Sequence, residues 1–316
     1  VWGCGEFESI DLPEEINKVS PKSKIISLLG DDDRDFDISS RYYALLMDYN
    51  LVAQAHYVDL YKKEGHKAYP FYIIDTENFR PLNLKKKYDV SFIGSPTELR
   101  AKLMRSLIER GIKFNIWGSG WLAYPEFKNY YWGVLDSKEF IKVISQSKIN
   151  LAFSQNEYGD PHFKGRVIEF AACRSFSLVD YFPEYFRYLK KDRDIVMFKD
   201  FEDLLRKIKY YLKNNKEREM IAANAYKSVV KNNDMKKETI KIFKEILEED
   251  NLPRKNLYKT DKKLFEINKS HLNKSLKEIR DVIGDYDYIG FHNGKSKFHK
   301  YKDYLQIHSL EKTGKD

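Results

Sequence analysis

Cysteine is nearly missing: Cys4 and Cys173 are the two in 316 residues, far apart and without disulfide or metal-ligand spacing. That excludes a disulfide scaffold and points to a reducing compartment, read here as the cytoplasm. The seven histidines form no H-x-x-x-H or H-E-x-x-H pattern, and without a Cys/His cluster zinc has no ligand set. Neither a G-x-S-x-G elbow nor a P-loop is present, which removes the signatures of serine hydrolases and P-loop kinases. No apolar run approaches the roughly 20 residues a membrane-crossing helix needs, so no transmembrane segment is expected. No signal peptide is seen. The chain opens at Val1 inside an apolar, glycine-containing stretch (Val1–Gly5), and a fragment of a longer protein is expected.

What is present is globular in composition, with 42% hydrophobic and 33% charged residues. A net charge of +8 favours anionic partners, and 23 tyrosines with 20 phenylalanines offer stacking surfaces. The lysines are spread along every segment rather than gathered on one helix, so a nucleic-acid partner is not expected.

At 37.6 kDa the chain has room for two cores. Lys24–Leu29 reads as a strand stopped by Gly30 and the acidic loop Asp31–Asp33. A helical pattern then runs from Ser39-Ser40 through Tyr42, Leu45, Leu46 and Tyr49. Leu51–Ala55, Tyr57–Glu64 and Ala68–Ile74 continue as strand, helix and strand. Asp75–Lys87, with a proline and three successive lysines, reads as an interdomain linker.

A second α/β series follows. Its strands are Asp89–Ile93, Lys113–Trp117, Ile149–Phe153, Phe176–Val179 and Asp194–Met197, with Tyr130–Gly133 read as another. Its helices are Thr97–Arg110, Ser137–Ser145, one carrying Glu169, Phe201–Leu212, Glu217–Val230 and Lys237–Glu248. Alternating strands and helices imply parallel sheets with ligands at the carboxyl ends of the strands. The domains expected are 1–82, 83–250, and 251–316 as a linker and the start of a further module. The last contains a helix at Ser270–Val282 and a strand at Tyr286–Asn293.

The stretch Phe163–Ala172 (FKGRVIEFAA) carries the most chemistry. Lys164 and Arg166 flank a glycine at the opening of an apolar helix, an arrangement that suits an anion. Glu169, one turn in, is placed to accept both hydrogen bonds of a ribose diol. Taken singly, these residues read equally as solvated loop charges and a helix-start carboxylate. Arg100, one turn into the helix after Gly94-Ser95, is the third candidate cation for a diphosphate leaving group, or a surface arginine of an amphipathic helix.

Gly118-Ser119-Gly120-Trp121-Leu122-Ala123 matches the G-x-G-x-x-A dinucleotide fingerprint, with Asp136 near the place of a ribose-binding acid. That is the case for an NAD-dependent oxidoreductase. Against it, Pro125 interrupts the helix such a fingerprint must open. Asp31–Asp33 reads either as a hard-cation site or as a solvated acidic loop.

Together the stretches DVSFIGS, LRAKLMRSLIERGIKFNIWGSGW, YWGVL, SKINLAFS and FKGRVIEFAACRSFSLVDYFPEYF resemble the C-terminal half of GT-B glycosyltransferases. They are most similar to the spore maturation protein CgeB family and its family-four-like relatives. SKIISLLGDDDRDFDISSRYYALLMDYNLVAQA resembles the N-terminal half of the same family, so the likeness covers about three quarters of the chain.

The resemblance implies an α/β GT-B fold of two Rossmann-like domains, the first truncated. It also implies a glycosyltransferase that holds a nucleoside-diphosphate sugar in the C-terminal domain, without metal or other cofactor. The partners it implies are that donor and a glycan, protein or small-molecule hydroxyl acceptor. By this likeness Lys164 and Arg166 match the basic diphosphate loop, which Arg100 joins by its place in the chain, and Glu169 holds the ribose. Trp132, Gly133 and Val134 line the base, Gly94, Ser95, Gly118, Ser119 and Gly120 form the donor loops, and Asp32 and Asp33 lie on the acceptor side.

Family-four-like enzymes usually carry a pair of glutamates, the first near the donor sugar. That place is Pro161 here, and Asp160 is the nearest substitute. Tyr286–Phe291 with Tyr304–Glu311 resembles the middle of a GT-A family-two transferase, with His292-Asn293-Gly294 where an aspartate-rich metal motif would stand. A non-catalytic nucleotide-binding module is the remaining alternative.

Overall fold

The structure is a computed structural model that describes residues 16–248 apart from 17, 21–22, 45–46, 73, 157 and 232–233. The expectations for Val1–Gly5 and 251–316 lie outside the described residues. The described chain forms two compact units, 16–71 with 241–248, and 72–240. The division falls at Phe71/Tyr72 and inside the last helix.

In the first unit β1 (Ile26–Leu29), β2 (Tyr49–Val52) and β3 (Ala68–Pro70) form a parallel sheet in that order. The acidic stretch after β1 is a helix, α1 (Asp32–Asp35), which passes through a π-type turn (Phe36–Ser40) into α2 (Arg41–Ala44). This corrects the loop expected there. Carboxylates in a first helical turn are favoured by the helix dipole, so an acidic run starts a helix as readily as it makes a loop. Tyr49 opens β2 rather than closing a helix. Buried Asn50, which disguised this strand, accepts from Ser27 Oγ at 2.6 Å.

Leu29, Phe36, Val52, Tyr61 of α3 (Val58–Lys63) and Ala68 form one core. Tyr49, Leu51 and Phe71 form another with Ile242 and Ile246 of α9 (Asp234–Glu248).

The second unit is a five-stranded parallel sheet. Its strands are β4 (Tyr88–Ile93), β5 (Asn115–Trp117), β6 (Ser147–Ala152), β7 (Ser177–Asp180) and β8 (Val196–Phe198), in the order β5-β4-β6-β7-β8. Register pairs Phe92 with both Ile116 and Leu151, and Ala152 with Val179. One face packs Met104 and Leu107 of α4 (Glu98–Glu109) with Leu204, Leu205 and Ile208 of α7 (Phe201–Lys213). The other packs Ile141 and Ile144 of α5 (Ser137–Gln146), Val167, Ile168 and Ala171 of α6 (Arg166–Ala172), and Ala225 of α8 (Asn215–Tyr226). Burying each of the larger apolar side chains contributes about 1.5–3 kcal/mol, which holds the helices to both faces of the sheet.

Tyr130–Gly133 is not a strand; it makes one isolated bridge, Tyr131 to Ile116. The 75–87 segment is tied down rather than free. Asp75 Oδ1 caps the backbone N–H groups of Glu77 and Asn78 at 3.0 and 3.1 Å, and Phe79 and Leu82 pack on the α5–α6 core. Lys86 Nζ donates to the carbonyls of Ser145 and Ser147 at 3.1 and 3.0 Å.

Candidate functional site

The sheet order reverses between β4 and β6, and in such sheets the ligand crevice lies outside the carboxyl ends of the strands at that point. Two loops end the strands on one side, Gly94-Ser95 after β4 and Gly118–Gly120 after β5. The 153–165 loop ends β6 on the other.

The two glycine loops are built against each other. Gly94 N–H donates to Trp117 O at 2.8 Å, Trp121 Nε1 donates to Gly94 O at 2.7 Å, and the Ser95 and Ser119 hydroxyls lie 3.3 Å apart. Gly118 has φ +130°, and a Cβ there would press into the Gly94 backbone, 2.7 Å from its carbonyl carbon. Trp121 is buried at 1% exposure and turns the chain inward. Only the short 3₁₀ turns Trp121–Ala123 and Pro125–Phe127 follow Gly120, not a helix packed on the sheet. Asp136 caps α5, accepting from Glu139 N–H at 2.7 Å, and is committed there rather than to a ribose. Both features weigh against the NAD fingerprint.

Trp132 and Val134 are 57% and 65% exposed, and the stretch is fixed to β5 by Trp132 N–H to Ile116 O and Gly118 N–H to Gly133 O, each 2.9 Å. Trp132 meets the edge of Tyr88, with ring centroids 6.5 Å apart. A large aromatic held open beside a glycine loop is suited to stacking on a base.

Arg166 opens α6. Its Nη1 donates to the carbonyl of Ile93, its guanidinium lies 5.6 Å over the Phe140 ring, and its Nε is buried without a hydrogen-bond partner. It is therefore a half-buried bracket between β4, α5 and α6, not a solvated loop charge. Burial works against its charge, offset by Glu169 and Tyr72. Glu169 is pushed above the usual carboxylate range by burial, and Arg166 opposes that shift. Tyr72, unforeseen from the sequence, lies over the same corner. Its ring stacks edge-on against Phe163 at 5.2 Å, and a Cβ on Gly165 would collide with its hydroxyl and ring. Burial raises the Tyr72 pKa, and Glu169 adds to the effect.

Arg100 does swing back to the strand ends, but onto peptide carbonyls: Nη1 to Ser95 O at 3.0 Å and Nη2 to Gln155 O at 3.1 Å. In this arrangement it braces the β4 and β6 loops to each other. The 153–165 loop is itself folded as a hairpin. Gln155 bridges Pro161, His162 N–H donates to Ser154 O at 2.9 Å, and Asn156 Oδ1 accepts from the N–H groups of Tyr158 and Asp160, both at 2.9 Å. Asp160 Oδ2 also accepts from Asn156 Nδ2 at 3.2 Å. The structure thus brings Gly94, Ser95, Gly118, Ser119, Gly120, Arg100, Asp160, Lys164, Arg166 and Glu169 to one end of one sheet.

In the first unit Asp32 and Asp33 are 1% and 2% exposed rather than solvated. Tyr61 Oη donates to Asp32 Oδ1 at 2.7 Å; burial lifts the Asp32 pKa to about 6, against the hydrogen bonds from Tyr61 and Ser40.

Residues 98–243 match the family model described as glycosyl transferase-like. No curated protein sequence matches the chain. Among solved structures it is similar to TarM (12% identity, TM-score 0.55), over 74% of this chain and 53% of that one. Anabaena HepE in complex with UDP-glucose is similar at 11% identity, TM-score 0.56, over 74% and 75%. The pneumococcal O-GlcNAc transferase GtfA in complex with UDP and GlcNAc is similar at 11%, TM-score 0.52, over 78% and 56%. The chain spans about half the length of TarM and GtfA. No helix among the described residues is long and apolar enough to cross a membrane. The fold is that of the GT-B glycosyltransferases, with the glycosyl transferase-like match falling on the unit that carries the clustered site.

Proposed function

We propose that this protein transfers a glycosyl group from a nucleoside-diphosphate sugar to a hydroxyl acceptor, without a metal ion. The observation that carries the reading is the Arg166–Glu169 pair beside the touching glycine loops at the sheet's reversal point. Glu169 takes the ribose diol. The buried, unpartnered Nε of Arg166 and the neighbouring Lys164 take the diphosphate. Trp132 takes the base, and the neighbours that bind UDP favour uridine.

As the glycosyl bond breaks, the electron pair leaves with the diphosphate oxygen. Fixed cations there lower the barrier because they need no reorganisation at the moment of departure. Arg100 supports this step by holding loops, and Asp160 is the sugar-side candidate. Within the glycosyltransferases we place the chain near the CgeB-like group, on the motifs around Gly118 and Lys164, and we assign it to the cytoplasm on its cysteine usage.

Incubation with a panel of UDP-, GDP- and ADP-sugars, with and without chelator, tests the reading. Release of nucleoside diphosphate that survives the chelator supports it, and failure to bind or turn over any of them refutes it.

A further inference from the structure

The Tyr185 phenol is buried at 0% exposure in the 3₁₀ turn Pro183–Arg187, and its single hydroxyl joins two places that are distant in sequence. It accepts from Ser154 Oγ at 3.0 Å and from Lys164 N–H at 3.0 Å, and it donates to Lys164 O at 3.3 Å. One donor and two acceptor sites are all a phenol has, so the group is saturated. Burial raises its pKa, which keeps it a neutral hydroxyl.

Ser154 begins the hairpin loop after β6 and Lys164 ends it, so this hydroxyl closes the loop at its base. Ser154 is held in turn from below, its N–H donating to Asp180 Oδ1 at 2.5 Å at the end of β7. The ring is fixed by Phe163 at 5.1 Å and Phe182 at 5.6 Å.

We propose that Tyr185 is a positioning residue whose hydroxyl clasps both ends of the 154–164 loop and so sets Lys164 against the donor diphosphate. This rests on the donor reading given above. Losing the hydroxyl removes its bonds to the half-buried Lys164 backbone and to the buried Ser154 hydroxyl, and the loop base gains freedom just where a displacement of about 1 Å can cost a hundredfold in function.

The test is Tyr185→Phe, which keeps the ring packing, with Ser154→Ala as the milder companion because it leaves both Lys164 bonds intact. UDP and uridine are titrated calorimetrically against wild type and both variants, and amide exchange is followed over 154–166 in the ligand-free proteins. In Tyr185→Phe, UDP affinity falls about tenfold or more while uridine affinity holds, since only the diphosphate meets Lys164. Exchange at the loop base speeds up, and Ser154→Ala shows the smaller loss. Equal weakening of UDP and uridine, or unchanged exchange over 154–166, overturns the clasp. A wild-type chain that binds no UDP defeats the donor reading instead, and the exchange measurement still decides whether the hydroxyl holds the loop.

Discussion

Arg166 donates from Nη1 to the carbonyl oxygen of Ile93, the last residue of β4, one position before the glycine whose Cβ would lie 3.0 Å from that same nitrogen. The guanidinium is thus part of the wall of the Gly94 loop as well as a charge within it. A lysine offers a point charge and cannot both bracket the strand end and face a ligand. Arg166→Lys is expected to lose about tenfold or more in kcat/KM for glycosyl transfer, and Arg166→Ala more. Wild-type rates in Arg166→Lys would show that only the charge counts.

Glu169→Gln keeps the shape of the side chain and removes its charge. Donor affinity should fall by about 1.5–3 kcal/mol, the size of a charge-assisted hydrogen bond, with little change in thermal stability. Calorimetric titration checks this; equal affinities in the two proteins would remove Glu169 from the ribose.

Gly118→Ala places a side chain at φ +130° and into the Gly94 backbone. A cost of about 1–3 kcal/mol in stability is expected, along with weaker nucleotide binding. Gly111→Ala, at φ +69° with open space around its Cβ, should cost stability without touching binding. Thermal melts paired with titrations separate the two effects.

The second unit was largely legible, and for physical reasons. The buried strands around Phe92, Leu151 and Leu178 are short apolar runs closed by glycine or polar loops, whereas the capping role of Asp136 was hidden behind its place near the glycine loop. The Lys164–Glu169 cluster could be picked out because its charges interrupt an apolar helix. The first unit was less legible. Its strands carry polar residues such as Asn50 and Ser27, which satisfy each other in the interior and leave no alternating pattern.

Tyr72, Tyr185 and Asp180 carried no local signal. Each acts through a partner distant in the chain, Gly165, Lys164 and Ser154 respectively. Arg100 was expected at the strand ends, and its two Nη hydrogen bonds to Ser95 O and Gln155 O there are a detail spacing cannot give.

Asp32 links the first unit to pH. Its folded pKa of about 6 stands above the ordinary carboxylate value of 3.8, so the fold prefers the protonated form. That contribution to stability is complete below 3.8 and is lost as the pH rises through about 6. Asp32→Asn, which can still accept from Tyr61, should raise the melting temperature at pH 7 and remove this loss from the profile. A difference between variant and wild type that stays constant from pH 4 to pH 8 would contradict the assignment.

The most direct test of the central claim is a titration of the wild-type protein with UDP-glucose and with NAD in the presence of chelator, repeated for Glu169→Gln and Lys164→Ala. Saturable binding of the nucleotide sugar, none of NAD, and weaker binding in both variants is the predicted result. Binding of NAD in preference, or nucleotide-sugar binding that appears only when a divalent metal is restored, would contradict the account.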